Sequence, residues 1–298
     1  MLPKVAIIVL NWNGFNDTSE CLESLKSIHY GNYEIILVDN NSQGNEYQIL
    51  KEKYNGFVSW FIKNDYNIGF AGGNNSGIKI ALKNNFDYIL LLNNDTVVEP
   101  DFLNRLIEYA EKNKKIGILT PKIIYHSNRN LIWAAGGYIS KIRASGFSYG
   151  LNKSATTNNK ERFCSFASGC CLLIRTEVFN EIGLLDDSYF LYLEDTDFCY
   201  KVNKSGYKIL YIPSSIIYHK VSSSTSKESS ILPLYYSIRN RLYFARKNLG
   251  FYYYLALIYV IIASLVKIIF SREQKIKFKI FVSAIKDFFS GKIGYKKL

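Results

Sequence analysis

The 298-residue chain is 48% hydrophobic and 21% charged, with five prolines and nineteen glycines, which excludes a disordered, collagenous or linker-dominated protein. Its net charge of +12 is unevenly spread: residues 1–230 hold 24 Lys+Arg against 23 Asp+Glu, and residues 231–298 hold 13 against 2. A near-neutral body followed by a basic, aromatic-rich quarter argues against a uniformly basic nucleic-acid binder.

In chain order, residues 5–10 (VAIIVL), 33–39 (YEIILVD), 57–63 (FVSWFIK), 88–93 (YILLLN) and 116–120 (IGILT) read as strands. They are short, rich in β-formers and almost continuously apolar, as expected when both faces of a sheet are covered. Helices are predicted between them. One opens on the candidate capping box Asp17-Thr-Ser-Glu20 and runs to about Ser27; others cover about 72–83 and 100–112. This alternation implies an α/β protein with a mostly parallel sheet flanked by helices. Farther on, Gly136-Gly137 and 144–150 suggest hairpins, 168–175 a strand, 194–203 a helix, and 208–212 a strand ended by Pro213; 221–230 (VSSSTSKESS) reads as a loop or linker. The five cysteines (Cys21, Cys164, Cys170, Cys171, Cys199) form no CxxC pair and read as buried reduced thiols of a cytosolic protein. Residues 5–10 are too short for the apolar core of a secretory leader.

In parallel α/β sheets, ligands bind beyond the carboxyl ends of the strands. Asn11 and Asn13 follow the first strand, Asp39 ends the second with Asn40 and Asn41 behind it, and Asn93, Asn94 and Asp95 follow the fourth. Asn and Asp favour turns wherever strands end, but three such clusters at successive strand ends point to a site. A carboxylate at Asp95 suits a divalent cation holding a diphosphate. Glu194-Asp195-Thr196-Asp197 is an acidic group at a helix start. The macrodipole alone favours acids there; the functional reading is a general base. His219 is either a core histidine or a metal donor. The glycine-rich run 67–77 opens a helix but lacks the G-x-G-x-x-G spacing, while still permitting close approach by a nucleotide.

Together these segments resemble glycosyltransferase family 2, with the GT-A fold, and its rhamnosyltransferase-type members in particular. The matching segments are 5–14 (VAIIVLNWNG), 38–42 (VDNNS), 67–77 (NIGFAGGNNSG), 91–96 (LLNNDT), 168–175 (SGCCLLIR), 192–200 (YLEDTDFCY) and 212–219 (IPSSIIYH). The resemblance implies that Asp39 pairs with the pyrimidine base, and that Asn11, Asn13 and Gly69 line the nucleotide. It implies that Asp95 is the last aspartate of the metal-binding D-x-D, that Asp195 is the catalytic base with Glu194 and Asp197 beside it, and that His219 completes the coordination of Mg²⁺ or Mn²⁺. Asn93 and Asn94 replace the earlier acids of that motif. Asn74 stands where many relatives have arginine. Asn74, Asn94 and Arg239 are candidate donor contacts, with 222–230 and Arg239 or Arg241 closing over the diphosphate.

Residues 251–270 (FYYYLALIYVIIASLVKIIF) hold sixteen uninterrupted apolar residues before Lys267, about 24 Å as a helix against a hydrocarbon core of ~30 Å. A single span would export a tail, 272–298, with eight Lys+Arg against two acids, contrary to the positive-inside tendency. Ile276, Ile280, Phe281, Ala284, Ile285, Phe288 and Phe289 share one helical face, with Lys275, Lys279 and Lys286 off it. This pattern fits an amphipathic helix on an anionic surface. The expected organisation is therefore a GT-A domain over 1–225 (nucleotide half about 1–120, acceptor half about 121–225) and a membrane-associating helical region over 226–298.

The resulting expectation is an inverting glycosyltransferase on the cytoplasmic face of the cell membrane, held there peripherally or monotopically. It would move a sugar, rhamnose among the candidates, from a UDP- or dTDP-sugar to a glycan or lipid-linked hydroxyl in surface-polysaccharide synthesis, with no nucleic-acid partner. The rival is a catalytically silent, nucleotide-sugar-binding membrane scaffold, motivated by the depleted D-x-D.

Overall fold

The computed structural model of the chain describes residues 2–221 and 231–297, so the serine-rich segment 222–230 and its expected closing role lie outside the described residues. The chain opens with β1 (Val5–Asn11), α1 (Phe15–Leu25), β2 (Tyr33–Asp39), α2 (Glu46–Lys53), β3 (Trp60–Lys63), α3 (Gly69–Lys83), β4 (Tyr88–Asn93), β5 (Thr96–Val98) and α4 (Phe102–Lys112). It continues through β6 (Ile116–Tyr125), β7 (Ile132–Ala134), β8 (Gly137–Ser140), β9 (Ser145–Ser148), β10 (Arg162–Cys164), β11 (Cys171–Arg175) and α5 (Thr176–Ile182). A 3₁₀ turn (Asp187–Tyr189), α6 (Glu194–Lys204) and β12 (Lys208–His219) follow, then α7 (Ile231–Asn248), α8 (Tyr252–Ile269) and α9 (Gln274–Phe289).

The main sheet is mixed, in the order β10-β12-β6-β11-β4-β1-β2-β3. Strands β3, β2, β1 and β4 are parallel, and β11 runs antiparallel between β4 and β6. Alternate residues of each central strand enter different cores. Val5, Ile7 and Val9 pack with α1, α2 and α4, while Ala6 and Ile8 pack with α3, α5 and α6. This two-sided burial is why the strands read as unbroken apolar runs. The glycines of α3 let it approach β1 closely: a Cβ on Gly73 would lie 2.5 Å from Leu10 Cδ1, and one on Gly77 2.8 Å from Ile8 Cγ2. These two serve helix–sheet packing rather than nucleotide approach.

Several elements depart from the sequence expectations. The candidate capping box does not form. Gly14 stands at the start of α1 without a side-chain cap, and Asp17 and Glu20 pair with Lys220 instead. Helix α2 went unread because Leu50 is its one buried residue, leaving no periodic signal. Strand β12 continues past Pro213 to His219. The register with β6 shifts between Ile212 and Ile216, so the proline sits in the irregularity and removes no ladder bond.

Helices α7, α8 and α9 share a core around Tyr235, Tyr236, Leu242, Val260, Phe281 and Phe288. α8 buries a stripe of Ala256, Val260, Ser264 and Ile268 and leaves Tyr254, Ile258, Ile262, Val266 and Ile269 exposed. It is long and apolar enough to cross a membrane, with a mean hydropathy of 2.0 and 22% of its length buried. The expected apolar face of α9 is divided. Phe281, Ala284 and Phe288 are buried, whereas Ile276 and Phe289 stay exposed.

Candidate active site

The site begins with strand register. Parallel pairing places Asn11 of β1 opposite Asp39 of β2, and Leu10 opposite Asn93 of β4, so three strand ends meet on one rim. Asn11 is fully buried and acts as a hub. Its amide donates to Asp39 Oδ2 (2.8 Å), Ser42 Oγ (3.1 Å) and Glu46 Oε1 (3.3 Å), and its carbonyl accepts from Thr18 Oγ1 (2.6 Å). Asp39 Oδ1 accepts the Ser42 backbone N–H. Burial, opposed by the Asn11 bond, raises the Glu46 carboxyl above its ordinary range. Asn13 takes a left-handed backbone, φ +51°, and accepts the Gln43 N–H. Asn40 donates to Asn67 Oδ1 and the Gly69 carbonyl and accepts from Asn64 and the Ile68 N–H.

Asp95 follows β4, and β5 pairs with the end of β12. Asp95 Oδ2 therefore lies 3.2 Å from His219 Nε2, both side chains being buried. The His219 ring meets Trp133 edge-on, and its Nδ1 has no hydrogen-bond partner among the described residues. A carboxylate and an imidazole converging beside an open cavity fit a divalent cation that takes its remaining ligands from a bound diphosphate. Among the described residues, no group of three or more His, Cys, Asp and Glu could hold a metal on its own. Asn94 donates to Thr18 Oγ1 at 2.8 Å, which ties the depleted motif to the Asn11 hub. Lys220 bridges Asp17 and Glu20 at 2.8 and 2.6 Å. Burial opposes its charge, but the two carboxylates more than offset that and raise its pKa.

These strand ends floor a cavity of about 890 Å³. Trp12, Asn13, Asn94, Asp95, Gly69 and Phe70 line its polar side; Phe190, Leu191, Ile231, Leu232, Tyr236 and Ile280 line the other. Gly69 has φ +80°, and a Cβ there would overlap the Phe190 carbonyl oxygen, so glycine is required where α3 meets the 186–193 loop. Phe190, Tyr192 and Leu193 also have positive φ (61°, 67° and 76°). Non-glycine residues hold such backbone only under constraint from their surroundings. Asn240 of α7 supplies it by donating to the carbonyls of Tyr189, Leu191 and Tyr192.

That loop delivers the acidic group of α6. Asp195 does not line the cavity directly; it sits behind Gly169, which also packs against Phe70. Its Oδ2 accepts the Gly169 N–H at 3.0 Å and its Oδ1 the Thr196 N–H at 2.7 Å. Burial raises the Asp195 carboxyl although these bonds oppose it. Burial and the neighbouring Asp195 raise Glu194, whose Oε2 is buried without a partner. Hydrogen bonds to Asp195 thus favour its charged form, whereas Glu194 Oε2 has no such partner among the described residues.

Three expected contacts are placed elsewhere. Arg239 is buried off the cavity, donating to the carbonyls of Gly294 (2.8 Å) and Tyr189 (3.3 Å) and to Asn240 Oδ1. Its guanidinium is thus committed to backbone, which corrects the expectation that it closes over a diphosphate. Arg241 likewise donates to the Arg143 carbonyl. Asn74 is buried and bonds the Phe70 carbonyl. Asp197 accepts from Tyr189, Asn248, Lys201 and Lys247. It ties α6 to α7 and holds Asp195 in place from the neighbouring turn. All five cysteines are free and buried.

A mixed sheet between helices, with polar groups gathered at the carboxyl ends and an acidic helix start behind Gly169, is the arrangement of a GT-A glycosyltransferase. The sequence profile described as glycosyl transferase family 2 matches residues 6–183, and the chain belongs to that family. The chain is 25% identical over 242 residues to the low-salt glycan biosynthesis hexosyltransferase of Haloferax volcanii, covering 81% of this chain and 75% of that one. It is 27% identical over 154 residues to the N-acetylglucosaminyl-diphospho-decaprenol L-rhamnosyltransferase of Mycobacterium tuberculosis, covering 48% of this chain and 50% of that one. Among solved structures, GalNAc-T7 with UDP, GalNAc and Mn²⁺ superposes with a TM-score of 0.67 at 17% identity, covering 98% of this chain and 57% of that one. The protein is a glycosyltransferase.

Proposed function

We propose that the chain is an inverting transferase that moves a hexose or deoxyhexose, rhamnose being the favoured candidate, from a UDP- or dTDP-sugar to a hydroxyl of a lipid-linked glycan. The observation that carries this reading is the cavity lined by Asp95, which faces His219, and by Asn94, which bonds through Thr18 to the Asn11–Asp39 hub buried beneath it. Asp39 and Asn11 would fix the pyrimidine end of the donor, with Trp12 and Gly69 as walls. Asp95 and His219 would hold a Mg²⁺ or Mn²⁺ ion, which when bound supplies positive charge to the diphosphate leaving group.

The acceptor hydroxyl is a weak nucleophile. Asp195 would take its proton as the new bond to the anomeric carbon forms and the bond to the diphosphate oxygen breaks. General-base help of this kind is typically worth about 10²–10⁴-fold.

We place the catalytic unit at about 1–225 and the membrane-associating unit at about 226–298, on the cytoplasmic face. The exposed apolar stripes of α8 and α9, flanked by lysines, support an interfacial seat. A panel of UDP- and dTDP-sugars, with and without Mn²⁺, tests the function. Nucleoside diphosphate release with at least one donor supports it; the scaffold reading predicts none.

A further inference from the structure

The cavity has a wall that the family's motif segments do not supply. Tyr295, Lys296 and Lys297 line it together with Asn94 and Asp95, although they lie some two hundred residues later in the chain. Their position is held by specific bonds. The buried Arg239 donates to the Gly294 carbonyl, and the Gly294 N–H donates to the Ser188 carbonyl at 2.8 Å. The Lys296 N–H donates to Tyr236 Oη at 3.0 Å, and the Tyr295 ring meets Phe190 edge-on. Burying a guanidinium is costly unless it is fully hydrogen-bonded, and here its bonds join the segment to the loop ahead of Asp195.

Other charged groups of the lining have side-chain partners. Asp17 is paired with Lys220, Asp95 faces His219, and Lys296 is paired with Asp287 at 2.8 Å. Among the described residues, Lys297 is the cavity-lining cation with no hydrogen bond or ion pair. An exposed ammonium at the edge of a cavity, on a segment fastened by a buried arginine, suits an anionic oxygen group.

We infer that residues 294–297 are part of the substrate site and that the Lys297 ammonium binds a phosphate group there. This rests on the transferase reading above. It also assigns a role to Arg239: it positions the segment and does not touch the phosphate. The shared chemistry is a diphosphate, which either the nucleotide donor or a lipid diphosphate acceptor can bring.

The test is calorimetric titration of the full chain and its Lys297→Gln and Lys297→Arg variants with UDP plus Mn²⁺, with uridine, and with farnesyl diphosphate in detergent micelles. Lys297→Gln should weaken a diphosphate ligand about tenfold or more, the scale of one charge-assisted contact. It should leave uridine affinity and the melting temperature unchanged, and Lys297→Arg should restore most of the loss. Weakening of UDP assigns the contact to the donor; weakening of farnesyl diphosphate alone assigns it to the acceptor. Unchanged affinity for both, or wild-type protein that binds neither, overturns the inference. Nucleoside diphosphate release measured on the same variants keeps the two readings separable: turnover with unaltered diphosphate affinity in Lys297→Gln leaves the transferase standing and removes only the Lys297 site.

Discussion

The rim of the parallel strands and the outer face of α8 solve opposite problems. At the rim, polar side chains are buried and satisfy one another, as Asn11 does with Asp39, Ser42, Glu46 and Thr18. On α8, large apolar side chains face outward, with Ile258 and Ile262 each more than half exposed. A buried polar hub at strand ends suits a polar ligand above it; an exposed apolar stripe suits an apolar partner, which in the reading proposed above is lipid. The charge excess belongs to residues 231–298 as a whole, and α8 itself carries one basic residue, Lys267.

The sharpest way to break this division is Asp195→Asn. It should lower transfer by about 10²–10⁴-fold while leaving donor affinity within experimental error, read by turnover and calorimetry. Near-normal turnover would remove the base assignment. Next in size is the double change Ile258→Lys and Ile262→Lys. Each buried isoleucine is worth roughly 1.5–3 kcal/mol, so vesicle co-sedimentation should fall more than tenfold while nucleotide binding persists. Equal sedimentation with the wild type would mean that α8 does not face lipid. Asn11→Ala should destabilise the protein by about 2 kcal/mol in urea unfolding, because several buried partners lose their bond, and should weaken UDP. A stable variant with normal affinity would mean that the hub organises nothing.

The smallest effect concerns Glu194. Its carboxyl is raised in the folded protein, so it contributes stability that is full below the ordinary carboxylate range and is lost as pH rises through the raised value. Glu194→Gln should flatten that decline in a melting-temperature series. The acid limb of turnover should stay in place, as expected of a base that does not share its proton with Glu194. A limb that moves with the substitution would mean that the two acids share the catalytic proton.

The legible parts of the sequence were those where one physical cause dominates. Strands β2 and β4 were read to their ends because their two-sided burial leaves continuous apolar runs. The Asn11–Asp39 and Asp95–His219 groupings followed from strand ends and from the family resemblance. Pairing that depends on distant partners was not legible. Pro213 continues a strand because β6 offers an irregular register, and Asp17 pairs with Lys220 across the fold rather than capping α1. Arg239 could be read as a cation but not as one committed to the Gly294 and Tyr189 carbonyls. Trp12 stood between two residues that were singled out, and its exposed ring on the cavity rim could have been suspected from that alone.

The central claim is that the polar floor of the cavity binds and activates a nucleotide sugar. The most direct measurement is nucleoside diphosphate release by the full chain from UDP- and dTDP-sugars, in Mn²⁺ and in chelator, with Asp195→Asn as the matched control. The account predicts release from at least one donor in Mn²⁺, lost in chelator and in the variant. Binding without release from any donor, or equal release from Asp195→Asn, would contradict it.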